Sequence, residues 1–247
     1  MSKLAYVLFF SACCVSLAFA QQPSGEEILQ RIDNNLRAAN RISETKMLIH
    51  GRRASRTLRA KSWIEGTDRS FTEYLAPARE KGTKMLKLGD QLWTYSPATD
   101  RTIKISGHML RQSVMGSDLS YEDMMEDPEL HKIYAAKVVA EENFAERSCW
   151  VLELTAIKQD VAYHSRKIWV DQERFVPLKE ERYAKSGKLL KTTEVREVMK
   201  VGERWVYKHL IFKDVLKNGK GTEFLIEAIE LDVAIPDHVF SKAALRK

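Results

Sequence analysis

The residue of the 247-residue chain that most resembles a catalytic nucleophile is Ser117, which lies between Gly116 and Asp118. A serine nucleophile of the elbow type needs a preceding strand, a sharp turn and a glycine two residues later. Leu119 occupies that position, and no strand pattern leads into the serine. The sequence therefore favours a loop serine that caps the next helix, and a lipid hydrolase using Ser117 is the enzyme alternative.

The other polar residues show no spacing that would build a metal or cofactor site. The histidines have neither the short intervals of zinc ligands nor a local cysteine partner, and no glycine-rich phosphate loop occurs. Cys149 alternates with Trp150 as in a strand, which favours a structural thiol. We therefore predict no metal, no cofactor and no enzyme activity. The six histidines are His50, His108, His131, His164, His209 and His238. The acidic residues Glu122, Asp123, Glu126 and Asp127 are interpreted as the solvated face of a short helix.

Residues 1–20 have the pattern of a cleavable export signal. A lysine precedes an apolar run that is shorter than the about 20 residues a membrane-spanning helix needs. Ala18 and Ala20 occupy the two positions that a signal peptidase reads. We predict cleavage after Ala20, which leaves residues 21–247 as one periplasmic domain. Lipid anchoring at Cys13, whose flanking residues resemble the end of a lipobox, is the alternative.

Cysteine content and charge limit the classes of partner. Cleavage would leave Cys149 alone, which excludes a disulfide framework. The formal net charge of +6, or +5 without Lys3, favours an anionic partner only weakly. A basic run near the first hairpin is either a solvated edge strand or a contact for lipid headgroups or an acidic partner. It lacks interleaved aromatic residues, so we expect no nucleic-acid binding. The run contains Arg52, Arg53, Arg56, Arg59 and Lys61.

Two short segments have helical patterns. Ser24 and Glu27 form a capping-box pattern, and an apolar stripe follows at helical spacing, which predicts an amphipathic helix over residues 26–39. Residues 108–130, here called the methionine-rich insertion, lack alternation and contain four of the eight methionines. Ser120 and Asp123 predict a short capped helix at residues 121–126 within it.

Most of the remaining chain has the period-two alternation and turn residues of β-strands. Gly89 and Asp90 predict a tight hairpin turn, and residues 97–100 predict another. We expect about a dozen strands and one domain. The predicted strands include residues 57–65, 82–88, 91–96, 102–105, 150–156, 168–170, 175–183, 189–201, 205–214 and 222–233.

An antiparallel sheet of this size must twist, curl and have its apolar face covered. The expected architecture is mainly β and antiparallel: either a closed barrel or a curved open sheet covered by the N-terminal helix and the methionine-rich insertion. Alternation in the sequence does not separate these two arrangements. Apolar strand residues that alternate with polar neighbours are predicted to line a ligand cavity, and residues of the two covers to form a lid. The cavity residues are Leu58, Ala60, Ile64, Leu86, Leu152, Leu154 and Ile168; the lid residues are Ile28, Ile32, Leu36, Met115, Met124 and Met125.

A collinear series of short motifs resembles the LolA-like family of outer-membrane lipoprotein-sorting proteins. The resemblance extends from about residue 70 to residue 247 and is closer to the broad, uncharacterised branch of that family. Residues 24–69 match only in pattern. The motifs are Leu86, Leu92-Trp93-Thr94-Tyr95, Pro97, Arg101, Met115-Gly116-Ser117-Asp118, Tyr121-Glu122-Asp123, Ile168-Trp169-Val170-Asp171, Pro177-Leu178, Gly187-Lys188, Ile235-Pro236-Asp237 and Phe240.

The resemblance implies an incompletely closed half-barrel whose apolar concave face holds acyl chains in the periplasm. We therefore expect a carrier for lipids or lipidated proteins, with acyl chains as ligand, an inner-membrane transporter as a further partner and transient contact with the membrane surface. A non-carrying docking subunit of a membrane export system is the first alternative, and a lipid hydrolase that uses Ser117 is the second. Trp93, Tyr95, Pro97, Gly116, Ser117 and Asp118 form the family signature that the resemblance implies.

Overall fold

The computed structural model describes residues 22–51, 54–126 and 129–247. The predicted export signal, Cys13, Arg52, Arg53 and Asp127 lie outside the described residues. Within them, every helix is too short or too polar to cross a membrane.

The described residues form one antiparallel sheet of thirteen strands, which confirms the predicted mainly β, open half-barrel class. Two α-helices and several single turns of 3-10 helix complete the described chain. The helices are α1 Gly25–Leu36 and α2 Tyr121–Met125; the strands are β1 Asn40–His50, β2 Ser55–Glu65, β3 Arg69–Ala76, β4 Lys84–Leu88, β5 Gln91–Ser96, β6 Arg101–Ile105, β7 Tyr134–Phe144, β8 Arg147–Ala156, β9 Ser165–Asp171, β10 Pro177–Tyr183, β11 Leu189–Val201, β12 Arg204–Asp214 and β13 Thr222–Leu231.

Both predicted helices exist, and both begin with the predicted capping box. Ser24 caps α1 together with Glu27, and Ser120 caps α2 together with Asp123. The first helix ends at Leu36, three residues earlier than predicted. The chain beyond it turns to join the sheet instead, because the Ala39 amide donates to the Asp232 carboxylate at 2.9 Å.

The sheet consists of two meanders joined at one seam. Strands β1 to β6 pair in sequence order, and so do β7 to β13. The two meanders meet where β1 pairs with β13. Residues that pair across antiparallel strands point to the same face. The inner face is therefore defined by the row of paired residues Leu152, Ile168, Glu180, Thr193, Phe212, Thr222 and Ile49.

Two covers lie on the inner face. Helix α1 packs Ile28 and Ile32 against Leu152 and Ile168, at the end of the sheet formed by β7 to β9. Gly25 permits the close approach of this helix, since a Cβ atom there would meet the Ala136 carbonyl oxygen at 2.5 Å. The methionine-rich insertion covers the other end of the inner face, over β1 to β5.

The outer face has its own cover near β3 to β5. Two turns of 3-10 helix after β13, Asp237–Phe240 and Lys242–Arg246, place Phe240 and Leu245 against Phe71 and Leu86. Both turns are therefore part of the hydrophobic core.

Candidate ligand cavity under the methionine-rich insertion

An apolar cavity of about 140 Å³ lies between the inner face and the methionine-rich insertion. Strands β1, β2, β3 and β13 form its floor, and the insertion forms its roof. Tyr74 is the largest polar side chain of the floor, and burial raises the pKa of its phenol, so it remains neutral. The lining residues are Thr45, Met47, Leu58, Ala60, Ser62, Thr72, Tyr74, Val114, Leu119, Met124 and Phe224.

The size of this cavity decides what it can hold in the present conformation. An apolar cavity of about 150 Å³ is large enough for benzene and stays dry when empty. The cavity therefore accepts a small hydrophobic group or the end of an acyl chain. A whole fatty chain requires the insertion to move away from the sheet.

The seven residues predicted to line one cavity occupy three different environments. Leu58 and Ala60 line the cavity, and Ile64 lines a second, smaller pocket further along β2. The predicted cavity position is wrong for the other four residues. Leu86 packs under Phe240 on the outer face, because the strand register places it opposite to the cavity. The other three residues lie on the inner face but are fully packed under α1, so they line no space: Leu152, Leu154 and Ile168.

The predicted lid residues divide between the two covers. Ile28 and Ile32 belong to α1 and are buried between this helix and the sheet, and Leu36 packs at the margin of the same cluster. Met115, Met124 and Met125 pack against the apolar cluster that contains Leu58. Only the methionine-rich insertion therefore adjoins the cavity. Its methionines are flexible and polarisable, which suits a roof that repacks around a ligand.

The Gly116-Ser117-Asp118 signature fastens the insertion to the sheet. The Thr222 hydroxyl donates to Asp118 Oδ2 at 2.8 Å, and the Asp214 amide donates to Asp118 Oδ1 at 3.0 Å. Ser117 is fully buried, and its Oγ accepts from the Leu119 amide at 3.2 Å. Its hydroxyl thus stabilises a loop turn.

A buried ionic network fastens the other end of the insertion. Asp123 accepts from Lys191 Nζ at 2.6 Å and from the Tyr163 hydroxyl at 2.5 Å. Burial alone would raise the pKa of Asp123, but Lys191 and the bonds from Ser120 and Tyr163 outweigh burial and lower it.

The same network continues into the strands of the inner face. Glu180 accepts from Arg166 at 2.6 Å and from Arg182 at 2.7 Å, and Glu126 pairs with Arg166. These charges lie between the cluster under α1 and the cluster under the insertion. The predicted solvated face is therefore wrong for Asp123, whose side chain is 3% exposed. The available sequence signal is a set of charged residues at inner-face positions of three neighbouring strands: Arg166 of β9, Glu180 and Arg182 of β10, and Lys191 of β11.

The basic run along β2 is ion-paired, and its strand is not an edge strand. Strand β2 pairs with β1 and β3, which corrects the edge interpretation. Arg59 lies 2.9 Å from Glu227, and Lys61 lies 3.5 Å from Glu44. Arg56 donates to the Met115 carbonyl oxygen and so holds the insertion.

The remaining signature residues stabilise the β4 to β6 end of the sheet. Trp93 packs against Leu245, and the Lys242 ammonium lies 4.3 Å from its ring centre. The Tyr95 hydroxyl donates to Asp100 at 3.1 Å across the turn that Pro97 begins. These residues therefore maintain the fold away from the cavity.

Solved structures share this architecture. A DUF1329 family protein from Desulfovibrio piger has a TM-score of 0.82 and 25% identity, covering 90% of this chain and 97% of that one. A domain assigned to outer membrane lipoprotein sorting, from Vibrio parahaemolyticus, has a TM-score of 0.77 and 25% identity, covering 90% and 98%. A LolA superfamily protein from Nitrosomonas europaea has a TM-score of 0.74 and 24% identity, covering 90% and 100%.

A family model described as that of an uncharacterized protein matches residues 66–247, more than half of the chain. The chain belongs to this family. Its fold is that of the LolA superfamily protein and of the other two solved structures. The resemblance predicted from residue 70 onward is thereby confirmed. No curated protein matches the sequence.

Proposed function

We propose that this LolA-like protein is a periplasmic carrier that binds acyl chains of lipids or lipidated proteins. The observation that supports the proposal most directly is the apolar cavity between Leu58 and Ala60 of the sheet and Met124 of the insertion. The LolA superfamily fold and the lipoprotein-sorting description of a structural neighbour agree with this proposal.

The energetics of binding follow from the cavity and its roof. Each buried CH₂ of an acyl chain contributes about 0.8 kcal/mol, so ten methylenes offer about 8 kcal/mol before ordering costs. Part of this free energy must displace the roof, whose half-buried methionines pack against the apolar cluster of the sheet. Opening the roof must loosen the attachments at Asp118 or Asp123, because Met115 and Met124 lie close to them in the chain. Ligand binding and roof opening are therefore one coupled event.

Two competing functions fit the observations less well. A docking subunit needs no space between the insertion and the sheet, whereas the chain has an apolar cavity there. A hydrolase needs an accessible nucleophile, whereas Ser117 is fully buried and hydrogen-bonded within its own loop. Neither competitor explains the methionine roof.

A cavity-filling variant tests the carrier. Ala60→Leu adds three carbons inside the cavity, and Ala156→Leu adds the same three carbons beside the cluster under α1. We expect wild type to bind the neutral fluorophore N-phenylnaphthylamine and to release it to long-chain lipids. Ala60→Leu should lose this binding while remaining folded, and Ala156→Leu should keep it.

Mass spectrometry of lipid extracted from the purified protein provides a second readout. A wild type that binds neither the fluorophore nor any lipid contradicts the carrier and favours the docking subunit. Lipid turnover that is lost in Ser117→Ala would favour the hydrolase.

A further inference from the structure

We infer that Arg41 binds the acidic headgroup, a carboxylate or phosphate, of an amphiphilic ligand whose chain enters the cavity. The inference rests on the proposed carrier function and adds the chemical class of the ligand.

Arg41 occupies an unusual position in the middle of the sheet. It lies on β1, paired with Leu231 of β13 on one side and with Ile64 of β2 on the other. Its side chain lines a pocket of about 80 Å³ together with Leu36 and Ile64. Its Nε is buried and has no hydrogen-bond partner among the described residues. The described residues also place no carboxylate within ion-pair distance of it, and burial lowers the pKa of Arg41.

The carboxylates of the same pocket already have partners. Glu129 accepts from Arg37 at 3.1 Å and from Lys132 at 2.6 Å. Asp33 accepts from the backbone amides of Leu130 and His131 at 3.1 and 3.0 Å, and from the His131 ring at 2.5 Å. Arg41 is thus the cation of this pocket that lacks compensation.

Arg41 is half-buried, and its buried Nε has no partner among the described residues. A guanidinium–carboxylate or guanidinium–phosphate pair, by contrast, is among the strongest polar contacts in proteins. About 10–15 Å³ of such a volume holds one water molecule, so 80 Å³ accommodates a carboxylate or a phosphate group. The pocket therefore has room for an anion beside Arg41, and its two carboxylates, Asp33 and Glu129, are paired with other groups.

The anion pocket continues into the apolar cavity along β2. Ala60 and Ser62 line the cavity, and Ile64, two residues further along the inner face, lines the pocket. Alternate residues of a strand are about 7 Å apart, so a headgroup at Arg41 places the first methylenes of its chain near the cavity. Lys87 lies between the anion pocket and the insertion that covers the cavity. Its Nζ donates to the carbonyl oxygen of Thr67, which lines the pocket, at 2.7 Å, and to the carbonyl oxygen of Met125 in the insertion at 3.4 Å.

The test compares ligands that share a chain and differ in the headgroup. Displacement of N-phenylnaphthylamine is measured with dodecanoate and with dodecanol on wild type, Arg41→Met and Arg59→Met. Arg59 is a matched control because it pairs with Glu227 outside both pockets. We expect wild type to bind dodecanoate about 10- to 100-fold tighter than dodecanol, the range expected for a charge-assisted hydrogen bond. Arg41→Met should lose that preference, and Arg59→Met should retain it.

The outcomes separate the two proposals. Equal affinity of wild type for dodecanoate and dodecanol overturns the role of Arg41 but leaves the carrier intact, and it needs no folded variant. A wild type that binds neither the fluorophore nor either ligand overturns the carrier itself. Calorimetry with dodecyl phosphate and inorganic phosphate distinguishes a lipid headgroup from a free anion. Equal affinity for the two phosphates would contradict an amphiphilic ligand.

Discussion

The attachment of the methionine-rich insertion through Asp123 leads to a quantitative prediction. Asp123→Asn preserves the shape of the side chain and removes its charge. Lys191 would then keep a buried ammonium that had contacted the carboxylate at 2.6 Å, and Arg182, 3.6 Å away, would lose an opposite charge as well. Breaking a buried pair by neutralising one partner costs about 3–5 kcal/mol. This is a large fraction of the about 5–15 kcal/mol that stabilises a typical domain.

The loss can take two forms, and two assays separate them. If the insertion stays in place, urea denaturation should show a free energy of unfolding lower by about 3–5 kcal/mol. If the insertion detaches instead, the global loss is smaller, and limited proteolysis should cut between Ser113 and Tyr121 in the variant but not in wild type. Glu122→Gln is the matched control, because it removes the same charge from a half-buried position of the same helix.

A second substitution checks the physical reason. Adding Lys191→Met to Asp123→Asn removes the orphaned cation and should restore part of the lost stability. Asp123→Asn that loses less than about 1 kcal/mol and resists the protease as wild type does would refute the buried-pair argument.

Three further predictions concern other parts of the fold. Leu154→Ala should lower the free energy of unfolding by about 2–5 kcal/mol, because Leu154 is fully buried under α1. The affinity for the fluorophore should not change. A changed affinity in the folded variant would mean that Leu154 lines the cavity. Burial would raise the pKa of Glu180, but Arg182 and Arg166 outweigh burial and hold this pKa at about 2 instead of 4.5. The stability that Glu180 contributes above pH 4.5 should therefore be lost as the pH falls toward 2. Acid titrations followed by circular dichroism should show a smaller loss in Glu180→Gln. Burial raises the pKa of the Cys149 thiol to about 11, so a thiol reagent should label it only on unfolding, and rapid labelling of the folded protein would contradict its burial.

The fold was predictable because its determinants are local in sequence. The capping boxes at Ser24 and Ser120 mark the starts of both helices, and the turn at Gly89 connects two predicted strands. Strands β1 and β3 were harder to place, because polar residues occupy several of their inner-face positions, Ser43 and Thr45 in β1 and Ser70 and Thr72 in β3. Turn residues predict which sequence neighbours pair, whereas the pairing of β1 with β13 has no local signal in the sequence.

The candidate site was predictable only in part, because it depends on contacts between distant segments. Alternation identifies two faces of a strand but not which face meets which cover, and this explains why Leu86 was assigned to the wrong face. The central charges of the inner face, such as Glu180, look like solvated residues until Arg166 and Arg182 are brought beside them. No local sequence pattern identifies Arg41, because its lack of an ion-pair partner among the described residues depends on where the fold places the carboxylates of distant segments.

The single seam between β1 and β13 has a consequence for the order of folding. All other strand pairs join sequence neighbours, which form fast, whereas Ile49 must find Thr222 across most of the chain. Each meander can therefore assemble from its own hairpins before the two halves dock. Ten of the eleven described residues that line the cavity lie between Thr45 and Met124, on one side of the seam, and docking of the second meander adds the last one, Phe224. Before docking, the apolar lining of the cavity is therefore an open groove on the first half of the chain, and the second half closes it at one side.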